Sequence, residues 1–575
     1  MRPNRLAILP AVALAGFVGS SLAAQMPPPD AQKEGREILR EMVGTDTSQS
    51  TGDTTVLARK LAARLVAAGL PAADVEVLGE AAKRGNLVAR LRGTNAKTPA
   101  VLFLAHLDVV DARRADWTMD PYRLTEQDGW LYGRGTLDVK GGGATLVSAF
   151  ARLAREGFRP DRDLILALTA DEEGGEDNGV DWLLQRRPEK IAAAYVINLD
   201  AGGAEIGPER PVAFDVQASE KVFGSFTVTA RNRGGHSSLP VPDNAIYRLA
   251  AGLVRLGQFT FPTRMNEITR AYFARKAESG SGPDAADFLA VSKTPPDEDA
   301  VARLSKSSPF YNAQFRTTCV ATLLEGGHAE NALPQTAKAT VNCRMLPGED
   351  PKEVEATLRR VIDDPELEVA PLREVRPSPP SPLSPEVFGA LEKVLAGLWG
   401  KVPIVPRMDT GASDGLYFRR AGIPVYGLNG IAYDFNDDRS HGKDERILAR
   451  AFDEGVEFHY RLARALGGGE AVVPEGSCSL HVDARSLPDL GGLPQATITL
   501  LSSDGKLVRK LEADGSGQAD VRGLSNGKYF VRAEIEGLVP SEVGPVEICG
   551  DSNCEAHVMV GLNVGSACGI IVVAH

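Results

Sequence analysis

Two adjacent glutamates, Glu172 and Glu173, lie in the sequence LTADEEGGED at residues 168–177, where chemistry could take place. The preceding residues, DLILALTA, have the composition of a buried strand bounded by charge, and the glycines that follow allow the chain to turn. One interpretation is a solvated acidic loop. The other is a metal site.

Further acidic and histidine residues fall where other apolar runs end. The sequences AHLDVVDA, GRGTLDVKGG, VINLDAGG and DDRSHGKDER contribute His106, Asp108, Asp138, Asp200 and His441. In an open α/β sheet, ligands bind at the carboxyl ends of the strands. The joint pattern therefore favours a site built from several strand ends over a random acidic surface.

Each of these residues also has an ordinary interpretation when it is taken alone. Asp138 is placed to cap the following helix, Asp200 is compatible with a turn, and His441 lies in a charged loop. His328 and His459 are expected to be ordinary surface or core histidines. The metal interpretation thus depends on the whole set of residues.

The elements that must position these residues alternate between strand and helix. From residue 73 to 200, apolar strands alternate with helical stretches, which predicts an α/β sheet covered by helices. Residues 212–376 change character and predict a βαββαβ order, an α+β domain inserted into the first. A polar stretch at about 263–312 interrupts it with little clear periodicity, and residues 377–467 return to α/β character.

The predicted organisation thus combines an α/β catalytic domain, an inserted α+β lid or dimerisation domain and a C-terminal all-β sandwich. The β-sandwich follows from short strands separated by Gly, Asn and Asp turns, with no helical pattern. The predicted boundaries are a signal peptide at 1–24, the catalytic domain at 25–211 and 377–467, the inserted domain at 212–376, a linker at 468–476 and the β-sandwich at 477–575.

The first residues predict export from a bacterium to the periplasm or the medium. MRPNR is basic, LAILPAVALAGFVG is apolar, and SLAAQ offers small residues for cleavage near Ala23 or Ala24. An exported chain can keep disulfides. Cys319 and Cys343 lie equally far from Asn331, so they would face each other if the intervening chain formed an antiparallel hairpin.

Composition narrows the possible partners. The net charge of −12 argues against nucleic acid, because binding to its phosphates needs clustered Lys and Arg. No segment after the signal peptide is long and apolar enough to predict a membrane span.

The motifs HLDVV, GRGTLDVKGG, TADEEGG, INLDAGG, RGGHSSLP, ENALP, CRMLPGED and SHGKDER, in this order, resemble the M20 family of zinc metallopeptidases. The resemblance covers roughly residues 34–467 and is closer to the branch with carboxypeptidase S and the aminoacylases. It implies two Zn²⁺ ions, with Co²⁺ or Mn²⁺ as possible substitutes. His106 and Asp200 would bind one ion, Glu173 and His441 the other, and Asp138 would bridge both.

The resemblance also implies roles for the residues around the metals. Glu172 would be the general base, and Asp108 would hold the ring of His106. His236 of GGHSS would stabilise the tetrahedral intermediate. Asn331 and Arg344 would hold the oxyanion or the terminal carboxylate of the substrate; a structural ion pair is the alternative for Arg344.

The sequence thus predicts an exported metallopeptidase that hydrolyses amide bonds of short peptides or N-acyl amino acids, as a carboxypeptidase or dipeptidase would. Three alternatives stay open: a zinc amidase or deacylase acting on non-peptide amides, an M28-type aminopeptidase, and a non-catalytic peptide-binding or scaffolding protein. The inserted domain with GGHSS argues against the M28 type. As in dimeric relatives, a homodimer through the inserted domain is expected, unless the stretch at 263–312 covers the sheet edge.

Overall fold

The computed structural model describes residues 26–174, 177–207, 211–278, 284–468, 478–487, 489–503, 505, 507–524, 527–548 and 555–562. The predicted signal peptide, nearly all of the predicted linker, and the cysteines Cys549, Cys554 and Cys568 lie outside these residues.

The described part of the chain contains fourteen α-helices. They are α1 Pro29–Val43, α2 Thr54–Ala67, α3 Lys140–Arg155, α4 Gly179–Arg186, α5 Pro188–Ile191, α6 Ala245–Gln258, α7 Glu267–Glu278, α8 Ala285–Val291, α9 Glu298–Ser307, α10 Pro309–Phe315, α11 Pro351–Ile362, α12 Pro385–Trp399, α13 Gly415–Arg420 and α14 Ala449–Gly467.

The strands of the same residues are numbered in chain order. They are β1 Val75–Leu78, β2 Asn86–Leu91, β3 Val101–His106, β4 Thr125–Gln127, β5 Trp130–Tyr132, β6 Leu164–Thr169, β7 Tyr195–Asn198, β8 Gly203–Glu205, β9 Ala213–Glu220, β10 Val222–Arg231, β11 Gly235–His236, β12 Thr318–Gly326, β13 Ala332–Leu333, β14 Thr336–Met345, β15 Leu367–Pro371, β16 Ile404–Asp409, β17 Val425–Gly427, β18 Arg446–Leu448, β19 Cys478–Ser486, β20 Thr497–Ser502, β21 Leu507–Glu512, β22 Gln518–Leu524, β23 Gly527–Glu534, β24 Ser541–Ile548 and β25 Glu555–Leu562.

The largest sheet is mixed and carries helices on both faces. Its strand order is β1-β2-β6-β3-β7-β17-β9-β16, with β8 paired to β9. Every residue of β3 and β6 is buried, which explains why these strands read as continuous apolar runs instead of alternating ones. One face packs against α1, α2, α3, α12 and α14, and the other against α4 and α13.

The inserted domain is a four-stranded antiparallel sheet of order β12-β14-β10-β15. In chain order it reads β10, α6, β12, β14, α11, β15, and α6 and α11 pack on its buried face. Residues of β14 alternate between buried and more exposed, as expected for a sheet with one covered face. Cys319 and Cys343 lie directly opposite each other and form a disulfide, so the predicted hairpin pairing is confirmed.

The inserted sheet begins later in the chain than the sequence predicted. Residues of β9 pair with β16 and β17 in the main sheet, although the predicted boundary at 212 assigned them to the inserted domain. The chain therefore leaves the main sheet at Lys221. It returns beside β9, where the Ser381 amide donates to the Ala218 carbonyl. Because β9 and β10 are separated by one residue, no loop marked this boundary.

The polar stretch predicted at 263–312 forms helices α7 to α10. These helices enclose a small aromatic core in which Phe273 stacks on Phe315 at 4.9 Å between ring centroids. This core includes Ala213 and Val405, so the helices pack against the main sheet. Each helix is short and buries only a few residues, so its periodicity is weak in the sequence.

The C-terminal strands form a three-stranded sheet of order β22-β19-β25 and a four-stranded sheet of order β21-β20-β23-β24. Both contribute to one apolar core that is separate from the cores of the preceding domains. Among the described helices, none combines the length and the apolar composition needed to cross a membrane.

Candidate metal centre

The ends of three neighbouring strands bring the predicted site residues together. Strand β3 pairs in parallel with β6 on one side and β7 on the other, so the carboxyl ends of all three meet at one sheet edge. His106 ends β3, Glu172 and Glu173 follow β6, and Asp200 follows β7. This is the position at which α/β sheets bind their ligands.

Two groups of ligand atoms meet at this edge. In the first, His106 Nε2 lies 3.1 Å from Asp138 Oδ1 and 3.5 Å from Asp200 Oδ1. In the second, His441 Nε2 lies 3.1 Å from Asp138 Oδ2 and 2.8 Å from Glu173 Oε2. Asp138 thus presents one oxygen to each group, and each group has the size of a metal-ion site.

The donor set fits two divalent metal ions. Imidazole nitrogen and carboxylate oxygen are the donors that zinc takes in catalytic sites. Glu173 Oε1 is buried and has no hydrogen-bond partner among the described residues, although buried carboxylate oxygens are normally paired. A cation at this position would satisfy an oxygen that the protein leaves without a partner.

The protonation equilibria indicate a strongly negative potential at this edge. Hydrogen bonds with Asp138 and Glu173 raise the pKa of His441 to about 10. Burial opposes the charged form of His106, but hydrogen bonds with Asp138 and Asp200 outweigh burial and raise its pKa. Burial raises the pKa of Asp200 to about 7. Because these raised pKa values favour the protonated forms, metal ions that bind there compete with protons.

Glu172 lies beside the ligands without belonging to either group. It lines a cavity of about 360 Å³ together with Asp138, Glu173, Asp200 and His441. The turn that places both glutamates there begins at Asp171, which has a left-handed φ of 65°, and continues at Gly174 with a φ of 115°. Burial, followed by the charge of Asp200, raises the pKa of Glu172. A raised pKa suits a carboxylate that must accept a proton and release it again.

Asp108 contacts its predicted neighbours in a different way from the one expected. The ring nitrogen Nδ1 of His106 lies 3.0 Å from the main-chain carbonyl of Asp108, whereas the carboxylate Oδ1 is 3.8 Å away. The carboxylate instead accepts hydrogen bonds from the amides of Glu172 and Glu173, at 3.2 and 3.1 Å. The Asp108 side chain thus fixes the main chain of the two glutamates in the loop after β6. The main-chain carbonyl of Asp108 orients the ring of His106.

Two buried carboxylates support the site and were not assigned a role from the sequence. Glu445 accepts hydrogen bonds from the amides of Leu137 and Asp138 at 2.7 and 3.0 Å, and pairs with Arg134 at 2.7 Å. It therefore holds the loop that carries the shared ligand. The only sequence signal was its position four residues after His441 in SHGKDER.

Asp414 supports the loop after β6 from the other side. Its carboxylate accepts from the Asn178 amide group at 2.6 Å and from the Thr169 hydroxyl at 3.0 Å. Arg407 also lines the cavity, and its charge is balanced by Asp215 and Asp409 at 2.9 and 2.6 Å. Neither residue falls in a motif that the sequence singled out.

The site residues predicted in the inserted domain, His236, Asn331 and Arg344, do not line the cavities that the proposed metal-binding residues line. His236 and Asn331 are exposed and neighbour each other where β11 pairs with β13. The Ser238 amide donates to His236 Nδ1 at 3.2 Å, so Nε2 carries the proton in the neutral ring and is available as a donor.

Arg344 lies on β14, at the end of the inserted sheet that adjoins the main sheet. Its guanidinium packs over the ring of Phe223 at 4.9 Å. No carboxylate of the described residues forms an ion pair with it, so the structural ion pair considered from the sequence is absent from this part of the chain.

The model of peptidase family M20/M25/M40 matches residues 102–465, which contain all five predicted metal ligands. The chain belongs to this family. The predicted family and the enzyme class, a metallopeptidase-type hydrolase, are thereby confirmed. The matched residues also include the whole inserted domain, so the family match covers the inserted sheet and most of the main sheet.

Individual proteins show the same relationship. The N-fatty-acyl-amino acid synthase/hydrolase PM20D1 of Xenopus tropicalis is 29% identical over 394 residues, which cover 65% of this M20 chain and 73% of that protein. The protein named "Probable carboxypeptidase S-like 2" of Dictyostelium discoideum is 26% identical over 388 residues, with 66% and 74% covered. The M20 metallo-carboxypeptidase Sso-CP2 of Sulfolobus solfataricus shares the fold, with a TM-score of 0.55, 18% identity and coverage of 76% and 99%.

Proposed function

We propose that this chain is an exported, two-zinc hydrolase that cleaves the amide bond of short peptides or N-acyl amino acids carrying a free carboxylate on the leaving side. The observation that carries the proposal is the pair of ligand groups that share Asp138 around the cavity containing Glu172. A ligand site alone would suit a binding protein, but an acid–base residue beside it suits catalysis.

Each metal ion has its own ligands in this proposal. His106, Asp138 and Asp200 hold one ion, and Asp138, Glu173 and His441 hold the other. When bound, two ions polarise the substrate carbonyl and lower the pKa of the attacking water. Zinc is the proposed metal because of its preference for this donor set, and Co²⁺ and Mn²⁺ are compatible with the same ligands.

Glu172 is the proposed general base. It accepts a proton from the water as the oxygen–carbon bond forms, and it returns this proton to the leaving nitrogen as the carbon–nitrogen bond breaks. The Asp108 carboxylate accepts a hydrogen bond from the Glu172 amide, so the backbone that carries the proposed base is fixed before substrate binds. His236 would donate from Nε2 to the oxyanion of the tetrahedral intermediate.

The substrate class is supported by the names of the relatives. One relative is described as acting on N-fatty-acyl amino acids and another as carboxypeptidase S-like. N-acyl amino acids and carboxypeptidase substrates both carry a free carboxylate. Arg344 has no anionic partner among the described residues, and its planar fork is suited to a carboxylate. Asn331, beside His236, is proposed to bind the substrate carbonyl.

A homodimer through the inserted domain is part of the same proposal. Strand β12 forms the edge of the inserted sheet, and its side chains Val320, Leu323 and Leu324 are 61%, 62% and 70% exposed. An uncovered apolar edge invites pairing with a second copy. Helices α7 to α10 pack against the main sheet instead of this edge. In such a dimer, His236 would serve the partner's metal centre.

Export is proposed from residues 1–24 and is compatible with the Cys319–Cys343 disulfide, since disulfides persist in oxidising compartments. The scaffolding alternative is disfavoured because a binding protein has no need of Glu172. The amidase alternative stays open, since the metal groups alone do not distinguish amides that carry a carboxylate from amides that lack one.

A substrate panel with metal analysis tests the proposal. The panel contains dipeptides, N-acetyl and N-lauroyl amino acids, their C-terminal amides and simple non-peptide amides. We expect zinc-dependent hydrolysis of the free acids and a loss of at least about tenfold in kcat/KM on amidation, the size of a lost charged hydrogen bond. Equal rates on acids and amides would favour the amidase, and zinc binding without any hydrolysis would favour a binding protein.

A further inference from the structure

The C-terminal β module, residues 478–562, presents three polar side chains in one row across its three-stranded sheet. His481 of β19 lies directly opposite Asp520 of β22 on one side and His557 of β25 on the other. Neighbouring strands lie ~4.8 Å apart and directly opposite residues project to the same face. The three side chains are therefore close neighbours.

This row faces away from the core of the module. Its residues alternate with buried ones: Leu480 and Val482 on β19 and Val521 on β22 are fully buried, and Val558 on β25 is 2% exposed. The side chains of His481 and Asp520 retain 29% and 56% of their exposure. His557 is exposed as well, so packing of the module does not require histidine at position 481 or 557.

Asp520 determines how His481 is oriented. The carboxylate Oδ1 lies 2.5 Å from His481 Nδ1, which assigns the ring proton to Nδ1. The lone pair of the neutral ring is then on Nε2, on the side of the ring away from Asp520, and the strand on that side carries His557. The two imidazole rings lie 5.1 Å apart between centroids, with their planes inclined by 54°.

We propose that His481 and His557 bind one divalent transition-metal ion on this outer face, with Asp520 orienting the His481 ring. A carboxylate on the far nitrogen is the usual support of a metal-binding histidine. Imidazole donors suit Zn²⁺, Cu²⁺ and Ni²⁺. Such an ion would hold one nitrogen of each ring at ~2.0–2.1 Å. The remaining positions are open to water or to a donor from another molecule.

This site shares no residue with the metal centre of the catalytic domain and does not depend on the proposed hydrolysis. A surface ion pair would explain the contact between Asp520 and His481. It would not explain the imidazole of His557, which lies directly opposite His481 on the other side. Two histidines on adjacent strands with one carboxylate behind them form a chelating unit.

Zinc titration of the full-length protein tests this site. The protein is first saturated with zinc, freed of excess metal, and then titrated with zinc chloride in a calorimeter. We expect one further binding event per chain. His481→Ala and His557→Ala should each weaken that event at least tenfold, and Asp520→Asn should weaken it about 10–100-fold. The matched control is His328→Ala, which removes an exposed histidine elsewhere and should leave the event unchanged.

A second measurement needs no substitution and guards against misfolded variants. Carbethoxylation of histidines in the wild-type protein is followed by mass spectrometry with and without added zinc. Zinc should protect His481 and His557 at least tenfold and leave His328 reactive. Absence of a further zinc event in the wild type, an unchanged event in His481→Ala or His557→Ala, or equal labelling with and without zinc would overturn the proposal.

Discussion

Two regions of the molecule differ in whether one chain brings together all the residues that their proposed roles require. One is the edge of the main sheet where β3, β6 and β7 end, and the other is the tip of the inserted domain, where β11 pairs with β13. At the sheet edge, the five proposed metal ligands and Glu172 line one site, and buried carboxylates hold the loops that carry them. At the tip, His236 and Asn331 are exposed and outside the ligand cavities. The proposed metal centre is thus built within one chain, whereas the proposed role of His236 in stabilising the intermediate would require the tip to approach a metal centre.

The residues of the two regions would act at different stages of the reaction. Metal ligands must be fixed before substrate arrives, and the strand ends of a buried parallel sheet give that rigidity. A residue that acts only on the intermediate can be brought by a second chain, as the uncovered edge of β12 would permit. Four substitutions test these roles.

The largest effect is expected at Asp138, the ligand that both groups share. Asp138→Ala removes one oxygen from each site, so both metal ions should be lost and hydrolysis abolished. Chelation of the wild type should have the same result, and added zinc should restore activity to the wild type only. Elemental analysis provides the measurement. Retention of both ions by Asp138→Ala would show that the ligand groups are assigned wrongly.

His236→Ala should lower kcat by about 10²–10³, the usual cost of a lost oxyanion donor, with both metals retained. If His236 acts across a dimer, refolding it together with Glu172→Ala chains should restore about a quarter of wild-type activity. That fraction follows because half of randomly paired dimers are mixed, and each contains one complete site. No recovery in confirmed mixed dimers would place His236 in its own chain's site, and a purely monomeric protein would exclude the dimer.

Glu445 tests whether the sheet edge depends on its support. Glu445→Gln keeps the shape but weakens the acceptors for the Leu137 and Asp138 amides. We expect metal affinity or activity to fall about 10–100-fold, as is usual when a group that orients a ligand is changed. Glu457→Gln is the matched control, because Glu457 is a buried, Arg-paired carboxylate outside both ligand cavities. Equal effects of the two substitutions would indicate general destabilisation.

The smallest effect is expected at Arg344. Arg344→Lys keeps the charge but loses one of two parallel hydrogen bonds to a carboxylate, worth about 1 kcal/mol or roughly fivefold in KM. The loss should occur on free acids and vanish on C-terminal amides. A similar change on both substrate classes would assign Arg344 to packing over Phe223.

Among the proposed metal ligands, His106, Glu173 and Asp200 lie in short motifs at strand ends, and parallel pairing of β3, β6 and β7 brings these ends together. Asp138 and His441 lie in loops and were predicted from their motifs. The contacts of Asp108 could not be predicted in the same way. Residue type alone does not say whether the side chain or the main-chain carbonyl of Asp108 contacts the His106 ring. Glu445 was missed for a similar reason: its role is to accept backbone hydrogen bonds, and many acidic residues in loops read alike.

The boundaries of the domains were harder to predict from the sequence than the residues of the candidate site. The order of strands and helices in the inserted domain followed from periodicity, but β9 continues into β10 without a loop, so composition placed the junction too early. Helices α7 to α10 depend on contacts among distant aromatic residues such as Phe273 and Phe315. Such tertiary contacts leave no regular pattern in a polar stretch.

Amide hydrolysis at a two-metal centre with Glu172 as the base is tested by the turnover of Glu172→Gln on an N-acyl amino acid, with metal content measured on the same sample. This substitution preserves shape and removes the proton acceptor. We expect two bound zinc ions per chain in the catalytic domain, as in the wild type, and a fall in kcat of at least about 100-fold. Near-normal turnover in the fully metallated variant would contradict this role of Glu172.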